Sequence, residues 1–513
     1  MKELEVVLSP EDAFNEEVFQ SVLREKVKAG QRELRVLRRS LDARKGQVKA
    51  RVRVQLMDQL PPLIQYQKPE IDVSQRQRVI IVGSGPAGLF AALQLIENGM
   101  KPIILERGKD VRARRRDLAA INKAHEVNED SNYCFGEGGA GTYSDGKLYT
   151  RSKKRGDILR ILEMLVSFGA KESILFDAHP HIGTNKLPGI IQAMREHIIA
   201  CGGEIHFNTR VTDFILQGDE MKGVIIASGE KIEGESVLLA TGHSARDIFT
   251  LLDNRKIRIE AKNFALGLRV EHPQELIDRI QYHCVSRGNF LPAAAYSLVN
   301  QTSSGGVFSF CMCPGGFIVP AATSPGEIVV NGMSPSRRNS RYANSGIVAE
   351  VGPAYFDPEK PLSGVEFQKA IEQKACELAG FTQAAPSQRL TDFLQDRVSS
   401  TLPDSSYQPG LVSVLQTDVL PEAIARGLKE AFRAFGKKMK GFVTHEAQVV
   451  GVESRTSSPV RIPRNNESTE HVEIKRLFPC GEGAGFAGGI VSAAMDGIRC
   501  ADNIIKLYNR VNK

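Results

Sequence analysis

A glycine-rich hexapeptide, Gly83-Ser84-Gly85-Pro86-Ala87-Gly88, has the G-x-G-x-x-G spacing that can hold a pyrophosphate. In this pattern the first glycine allows a tight turn, the second lets the backbone approach the phosphates, and the third lets a helix pack on the preceding strand. Glu106 follows at the distance where an acid accepts hydrogen bonds from ribose hydroxyls. The candidate contacts of this segment are Gly83, Ser84, Gly85, Pro86, Ala87, Gly88, Glu106 and Arg107. The spacing predicts a dinucleotide-binding chain.

The flanking residues predict the elements that would position these groups. Val79–Val82 has the β-branched content of a buried parallel strand, and Leu89–Gly99 is an apolar-rich helix that ends at a glycine. Pro102–Leu105 reads as a second strand that delivers Glu106, and Val111–Lys123 as a basic helix after it. The N-terminus of the first helix, with its free N–H groups and positive dipole end, would hold the phosphates. This strand–turn–helix–strand setting disfavours the alternative of an ordinary glycine-rich turn.

A second glycine-rich stretch, Gly136–Leu148, cannot form a regular helix or a central strand. It predicts a loop that brings backbone N–H groups and Lys147 against a phosphate or a flavin edge. An ordinary surface loop is the alternative. The candidate contacts here are Gly138, Gly139, Ala140, Ser144, Asp145, Gly146 and Lys147.

Two later strands end in turns that suit the same ligand. Ser236–Leu239 runs into Ala-Thr-Gly, which would place Thr241 and Gly242 beside a dinucleotide. Near the C-terminus a strand reaches Pro479, a glycine-rich turn carries Glu482, and a helix begins near Ile490. The N-terminus of that helix would face an electron-rich ligand edge, such as the N1/C2 carbonyl side of a reduced flavin. The first and last segments must therefore meet, which predicts a discontinuous FAD-binding domain.

The chain order predicts four segments. They are an N-terminal basic βαββ module with a linker (1–75), the first part of the FAD-binding domain (76–262), an inserted substrate or cap domain (263–470), and the C-terminal part of the FAD-binding domain (471–513). The predicted fold class is α/β: a discontinuous Rossmann-like FAD domain with a parallel sheet and a β-meander, an inserted α+β domain and a small N-terminal α+β module. Phe14–Lys28 is predicted as one helix of that module, followed by a hairpin across Asp42–Gly46.

The N-terminal module is strongly basic. Twelve lysines and arginines stand against four acids between Ser21 and Leu60. A basic face for RNA or another polyanion is one interpretation. A solvated sheet face that docks on the flavin domain is the favoured one, because neither an aromatic platform nor an RNA-binding signature accompanies the charges.

The composition sets further bounds. At 513 residues, with 42% hydrophobic and 25% charged residues, the chain suits several globular domains. No apolar window is long enough for a membrane span, and the acidic N-terminus lacks the apolar core of a secretory signal. Eight scattered cysteines are typical of a reducing compartment, so we expect a cytoplasmic protein, or a plastid stromal one if a transit peptide has been removed. We predict no metal site, and the oligomeric state stays open.

The inserted segment offers the candidates for chemistry. Cys311 and Cys313, at i and i+2, would share one face of an extended strand. They form either a redox or substrate-contacting pair or small apolar residues in a core. Arg337 and Arg338 suit a carboxylate or phosphate, with a solvated loop as the alternative. His181 is a further weak candidate.

Several segments carry a family resemblance. GSGPAGLFAALQLIENG…ERG, ATGHSARD and FPCGEGAGFAGGIVSAAMDG resemble the three conserved blocks of two-domain FAD flavoproteins of the glutathione-reductase-like superfamily. GEGGAGTYSDGKL, PHIGT and CMCPGG resemble, more closely, bacterial and plastid FAD-dependent dehydrogenases of undefined substrate. The resemblance implies that the first fingerprint and Glu106 hold the AMP half of a non-covalent FAD, that Val211 meets the adenine through its backbone, and that the C-terminal turn holds the ribityl chain and flavin. The residues of that turn are Gly481, Glu482, Gly488, Gly489 and Ile490. Glu482 stands where the superfamily usually has an aspartate.

The absence of several known sequence motifs limits the reactions that the chain could catalyse. No second G-x-G-x-x-G marks a separate NAD(P) domain, although NADH or NADPH could still act as a transient electron donor. No C-x-x-C or C-x4-C follows the first fingerprint, which disfavours a dithiol reductase, and the absence of tryptophan excludes tryptophan-bearing halogenase motifs. We predict an FAD-dependent oxidoreductase that exchanges hydride between flavin N5 and a small substrate. The alternatives are an RNA-acting flavoprotein that resembles flavin-dependent tRNA-modifying enzymes and a non-catalytic flavin-binding scaffold or redox sensor.

Overall fold

The computed structural model describes residues 2–44, 46–150 and 156–511. The N-terminal module contains β1 (Lys2–Leu8), α1 (Pro10–Phe14), α2 (Phe19–Lys26), β2 (Glu33–Asp42) and β3 (Lys49–Met57). Its antiparallel sheet has the strand order β1-β3-β2. The predicted hairpin is present, and Lys45 in its turn lies outside the described residues.

The prediction of one helix over Phe14–Lys28 is wrong. Two short helices occupy that region, and the chain between them is not helical. Helix α1 begins earlier, at Pro10, behind a Ser9 side chain that accepts a hydrogen bond from the Asp12 N–H. Asn15 ends α1 in an extended conformation, so a new helix must start four residues later. Apolar periodicity continues across this break and hides it.

Arg39 docks the module on the rest of the chain. Its guanidinium bonds both carboxylate oxygens of Asp177 at 2.8 and 3.1 Å and lies over three phenylalanine rings, those of Phe14, Phe19 and Phe176. Its backbone pairs with the same segment on both sides. On the outer sheet face Arg51 is paired with two acids, Glu5 and Asp42. These contacts support the docked, solvated-face interpretation, and RNA binding stays a prediction.

The next segment is an alternating α/β unit followed by a meander. Its elements are β4 (Arg78–Val82), α3 (Pro86–Glu97), β5 (Lys101–Leu105), α4 (Val111–Lys123), α5 (Ile158–Ser167), α6 (Leu187–Ala200), β6 (Glu204–His206), β7 (Val211–Gln217), β8 (Glu220–Ile226), β9 (Lys231–Glu233), β10 (Ser236–Leu239) and α7 (Arg246–Asn254). Short 3₁₀ turns lie at Gly139–Gly141 and Glu172–Leu175. The meander β7-β8-β9 is antiparallel.

The inserted segment builds a larger sheet. Its elements are β11 (Glu260–Ala261), β12 (Phe264–Pro273), α8 (Gln274–Tyr282), β13 (Val299–Thr302), β14 (Gly305–Cys313), β15 (Phe317–Pro320), β16 (Val330–Met333), β17 (Tyr342–Val351), α9 (Ser363–Leu378), β18 (Ala385–Arg389), α10 (Leu390–Phe393), β19 (Leu411–Ser413), α11 (Gln416–Val419), α12 (Glu422–Lys438), β20 (Gln448–Glu453) and β21 (Val460–Arg461). Seven strands pair in the order β13-β14-β17-β12-β20-β18-β19, which we call the cap sheet. Its core is continuous with α9 and α12.

The last elements, β22 (Leu477–Pro479) and α13 (Ile490–Val511), return to the first unit. The parallel sheet has the order β22-β10-β4-β5-β6, so β22 extends a sheet that began at residue 78. Helix α13 packs closely on α3, because a Cβ at Gly497 would lie 2.1 Å from the Ala87 carbonyl oxygen. These pairings confirm the predicted fold class and its discontinuous Rossmann-like domain. The numerical domain boundaries stay predictions.

None of the helices in the described part of the chain combines the length and the apolar character needed to span a bilayer.

Candidate functional site

A cavity of about 400 Å³ lies between the parallel sheet and the cap sheet. On one side it is lined by the turns that follow β4, β10 and β22, where the carboxyl ends of three neighbouring parallel strands meet. Ligands of open α/β sheets bind at this edge. On the other side the lining comes from strands of the inserted segment, with Phe310, Cys311 and Met333 among its residues.

The three fingerprint glycines have separable roles. A Cβ at Gly83 would lie 2.5 Å from the Ala240 carbonyl oxygen, and one at Gly88 would lie 2.1 Å from the Gly83 carbonyl oxygen. Both positions therefore need glycine for the packing of the turn. A Cβ at Gly85 would meet no described atom within 4 Å, and Gly85 lines the cavity. Its missing side chain leaves room for a ligand.

Helix α3 presents an open N-terminus to this space. Gly85 is its N-cap residue and supplies no side-chain cap. The first N–H groups of a helix have no partner within the helix and attract anions. The same opening occurs at the far end of the chain, since added Cβ atoms at Gly488 and Gly489 would also meet no described atom within 4 Å.

The Glu106 carboxylate accepts hydrogen bonds from the protein that the sequence does not predict. Its Oε2 accepts hydrogen bonds from the Ser84 N–H at 3.0 Å and the Ser84 hydroxyl at 2.7 Å. Its Oε1 accepts from the N–H groups of Gly108 and Gly136 at 2.9 and 3.0 Å. The carboxylate still borders the cavity, but it also joins the first fingerprint to the second glycine-rich stretch.

Arg107 and Val211 both line the cavity. The Arg107 guanidinium bonds Asp130 at 2.8 Å and Asp247 at 3.0 Å, and it lies 4.2 Å from the centre of the Phe135 ring. Arg107 thus holds three segments together around the cavity wall. Its guanidinium is engaged by protein groups, whereas Val211 offers backbone and a small apolar surface.

Arg114 holds the second glycine-rich loop in place, a role that the sequence motifs did not predict. It is fully buried on α4, and it donates to the carbonyl oxygens of Asn132 at 2.7 Å, Glu137 at 3.0 Å and Gly139 at 3.0 Å. A signal exists in the sequence. Val111, Leu118 and Ile121 lie at i−3, i+4 and i+7, so helical periodicity places Arg114 on the buried face.

Glu482 and His243 face each other in the cavity, 3.6 Å apart between Oε2 and Nε2. Burial, assisted by negative charge at Cys311, raises the pKa of Glu482 to about 7. Burial lowers the pKa of His243 to about 4. His243 follows Ala-Thr-Gly directly, and this proximity to a predicted turn could have identified it. The neighbouring Thr241 hydroxyl oxygen is buried and has no hydrogen-bond partner among the described residues.

On the cap side, Cys311 borders the cavity and Cys313 is buried behind it. Lys147 donates to the Met312 carbonyl oxygen between them. Asp145 accepts a bond of 2.7 Å from Arg338. Burial opposes ionisation of Asp145, but the charges of Arg338 and Lys147 outweigh it and lower its pKa. A loop of the first unit and the cap sheet thereby meet in one polar cluster.

Most predicted contact residues lie on the cavity wall. Twenty of them line it: Gly83, Gly85, Pro86, Ala87, Glu106, Arg107, Gly139, Ala140, Ser144, Asp145, Gly146, Lys147, Val211, Thr241, Gly242, Gly481, Glu482, Gly488, Gly489 and Ile490. Ser84, Gly88 and Gly138 are not in the lining and support the turns from behind. Further lining residues, which the sequence motifs did not predict, include Tyr149, His243, Asn331, Met333 and Arg455.

Four of the five candidates for chemistry lie outside the cavity wall. Arg337 is exposed, and Arg338 reaches the cavity only through Asp145. His181 contacts the Ser336 carbonyl oxygen through Nε2 at 3.1 Å, and burial lowers its pKa to about 4. Cys313 is buried, so Cys311 is the candidate that the structure places in the wall itself.

One cluster has the composition of a metal site. Ligand atoms of Cys480, Asp496 and Cys500 lie within 4.8 Å of one another. The Arg464 guanidinium already bonds Asp496 at 2.5 Å and the Cys500 sulfur at 3.3 Å. A cation would meet this fixed positive charge, so the cluster is better described as a buried ion pair.

Comparison with known proteins identifies the family. Residues 263–456 match the model of an FAD-dependent protein, C-terminal domain-like, residues 76–235 match an FAD binding domain, and residues 1–57 match a domain of unknown function. An uncharacterized protein of Clostridium beijerinckii is 39% identical over 497 residues, which cover 93% of each chain. This chain belongs to that family of FAD-dependent proteins. The recognition of an FAD flavoprotein is confirmed, and membership of the glutathione-reductase-like superfamily stays a prediction.

Two more distant similarities complete the comparison. The thiamine thiazole synthase of Methanococcus vannielii is 29% identical over 192 residues, which cover 35% of this chain and 60% of that protein. A geranylgeranyl bacteriochlorophyll reductase-like protein of Thermoplasma acidophilum has a solved structure that is 12% identical, with a TM-score of 0.36, over 85% of this chain and 80% of that one.

Proposed function

We propose that this FAD-dependent protein is an oxidoreductase that exchanges a hydride between flavin N5 and a small substrate held between the parallel sheet and the cap sheet. The observation that carries the proposal is the cavity itself. Its lining includes both Gly85, where a side chain would project into free space, and Cys311. A dinucleotide bound near Gly85 and a reactive group near Cys311 would share one cavity.

The residues present fit FAD. Gly85, Gly488 and Gly489 lack the side chains that would fill the space for a ligand, and the buried Thr241 hydroxyl lacks a partner among the described groups. In this proposal Gly85 and the α3 N-terminus hold the pyrophosphate, Glu106 meets the AMP half, and the turn at Gly481–Ile490 holds the ribityl chain and flavin. When bound, FAD supplies a ring that accepts or donates a hydride.

The chain's own groups would set the conditions for that exchange. The cap sheet and Cys311 would cover the ring and exclude water. Glu482, with its pKa of about 7, would hold or release a proton at its carboxyl oxygen near neutral pH, beside His243 Nε2. The half-buried Lys147 would supply a fixed positive charge near developing negative charge. The identity of the substrate is left open by these groups.

The test is a visible spectrum of the purified protein, followed by anaerobic addition of NADH and then of NADPH. A flavin spectrum that one nucleotide bleaches would support a reductase and would identify the electron donor. A flavin spectrum that neither nucleotide changes, but that a small organic reductant bleaches, would support direct substrate oxidation. Protein that contains no flavin, or flavin that no donor reduces, would contradict the proposal, the latter in favour of a scaffold.

A further inference from the structure

The two cysteines of β14 lie in an irregular part of the cap sheet. Phe310 pairs with Gly346 and Cys313 pairs with Asn344, so Cys311 and Met312 together oppose a single residue of β17. This is a β-bulge, and Cys311 has a φ of +48°, in the left-handed region that non-glycine residues rarely adopt. Such conformations persist where the surrounding structure enforces them, and they concentrate at functional sites.

The bulge brings the two thiols together. In a regular strand, side chains at i and i+2 stand about 7 Å apart on one face. Here the Cys313 thiol turns back onto Cys311 and donates to its carbonyl oxygen at 3.3 Å. Oxidation to a disulfide requires this kind of proximity.

The two thiols differ in access. Cys311 is exposed toward the cavity, whereas Cys313 is completely buried. A substrate in the cavity can therefore reach the first sulfur but not the second. This arrangement suits an attacking thiol backed by a resolving thiol.

Positive charge surrounds Cys311. Arg269, which is fully buried and held by Glu453 at 2.6 Å, donates to the Cys311 carbonyl oxygen at 3.3 Å, and Lys147 donates to the next carbonyl oxygen. The Cys313 hydrogen bond comes first in lowering the pKa of the Cys311 thiol, and the charges of Lys147 and Arg269 lower it further. Asp145, Glu453 and Glu482 are the acids in this region, and they oppose the effect.

Another cavity cysteine, Cys134, offers a contrast. It lies between the Ser244 hydroxyl at 3.5 Å and the Ala321 carbonyl oxygen at 3.8 Å. Neither contact is with a cation or with a second thiol. The charges of Arg114 and Arg455 act on Cys134 as well. Cys134 is thus a cavity cysteine that lacks the strand bulge and the neighbouring thiol that distinguish Cys311.

From this geometry we propose that Cys311 and Cys313 form a redox-active dithiol that reduces a small disulfide substrate in the cavity. The inference rests on the proposed function and names its substrate class.

The Cys311 thiolate attacks one sulfur of R–S–S–R′, which forms Cys311–S–S–R and releases R′–S⁻. Cys313 Sγ then attacks Cys311 Sγ, and R leaves as R–SH with the Cys313 proton. The resulting Cys311–Cys313 disulfide returns to the thiolate–thiol pair when it accepts two electrons and one proton. Reduced FAD, when bound in the cavity, would supply them, and a nicotinamide nucleotide would be the source of its two electrons and one proton.

The test uses the purified full-length holoprotein, reduced and desalted under anaerobic conditions, and 2-hydroxyethyl disulfide as a small neutral probe. After acid quenching, free thiols are alkylated and the peptides are analysed by mass spectrometry. Wild type should yield a Cys311–Cys313 peptide that has lost two hydrogens. Cys313→Ser should instead accumulate the probe's thiol half on Cys311. Cys134→Ser should behave as wild type, and flavin content reports whether each variant is folded.

Two outcomes would overturn the inference: both cysteines remaining free, or Cys134 reacting before Cys311. These failures are separable from failure of the proposed function. Flavin that a nucleotide bleaches in a protein whose Cys311 and Cys313 stay unreactive would leave the oxidoreductase proposal standing alone. Linked thiols in a protein without flavin would support the thiol chemistry and contradict the flavin proposal.

Discussion

The two ends of the cavity are built in different ways. The glycine end comes largely from one continuous stretch, β4-α3-β5, in which backbone atoms and missing side chains form the surface. The thiol end is assembled from side chains far apart in the chain, such as Lys147, Arg269 and Cys311. A backbone site is robust to most substitutions but sensitive to an added side chain. A site of converging side chains depends on each group and on the packing that holds it.

The substitution that we expect to disrupt ligand binding at the glycine end most strongly is Gly85→Val. The backbone of Gly85 (φ −69°, ψ −177°) is accessible to any residue, and the new side chain would point into the cavity. We expect the ratio of flavin to protein absorbance to fall at least about tenfold, because the side chain occupies space that the pyrophosphate needs. Gly189→Val, at an exposed first-turn glycine of α6 with equally open surroundings, is the matched control. Equal flavin content in both variants would place the ligand elsewhere.

The second prediction concerns Arg114, which supports both ends through the loop at 136–147. Arg114→Ala removes hydrogen bonds to three carbonyl groups and opens a buried space. We expect the free energy of unfolding to fall by about 3 kcal/mol, as measured by denaturant titration. Arg116→Ala, on the exposed side of the same helix, should change it little. Similar losses in the two variants would show that Arg114 does not organise the loop.

The third prediction tests the thiol end. Lys147→Met keeps the approximate length of the side chain but removes the half-buried positive charge near Cys311. The pKa of the Cys311 thiol, about 5, should rise. Its alkylation by iodoacetamide near pH 5 should then slow by about fivefold for a pKa rise of about one, while the rate at neutral pH should change little. Lys171→Met, at an exposed lysine paired with Glu16, serves as the control. An unchanged rate at Cys311 would mean that Lys147 does not activate the thiol.

The smallest expected effect lies at Glu482, between the two ends. Because its folded-state pKa is raised from 4.5 to about 7, the folded protein retains a proton that the unfolded chain has lost in this interval. The free energy of unfolding of flavin-free protein should therefore decrease as pH rises through the interval and stay lower above it. Glu482→Gln should remove this dependence, with a difference of about 1 kcal/mol because water in the cavity screens the charge. Parallel pH profiles for the two proteins would contradict the assignment.

The local sequence pattern correctly predicted elements and cavity-lining residues at the glycine end. The helix predicted at Val111–Lys123 has those bounds in the structure, and the strand at Ser236–Leu239 does too. The predicted contacts at Gly85, Gly242 and Glu482 all lie on one cavity wall. These features depend on short-range backbone requirements, which repeat in any chain with the same spacing.

Features that depend on long-range packing were predicted less well. The extended-strand interpretation placed Cys311 and Cys313 on one face, but the bulge exposes one thiol and buries the other. The hydrogen bond that Glu106 accepts from the Gly136 N–H links residues thirty positions apart, and no local sequence pattern predicts it. Asp145 meets Arg338 only because the cap sheet packs against the first unit.

The amino-acid sequence alone determined that a dinucleotide fold is present, since the glycine spacing and apolar periodicity act through neighbouring residues. It also predicted that the segment after residue 76 and the C-terminal segment after residue 471 share one domain, because each carries part of the ligand-binding edge. Only the tertiary structure decided which cysteine faces the cavity, which arginine holds the loop, and which acid is left with a pKa near neutrality. Those properties depend on burial and on which charges the fold brings close together. The spacing of residues along the sequence does not determine either one.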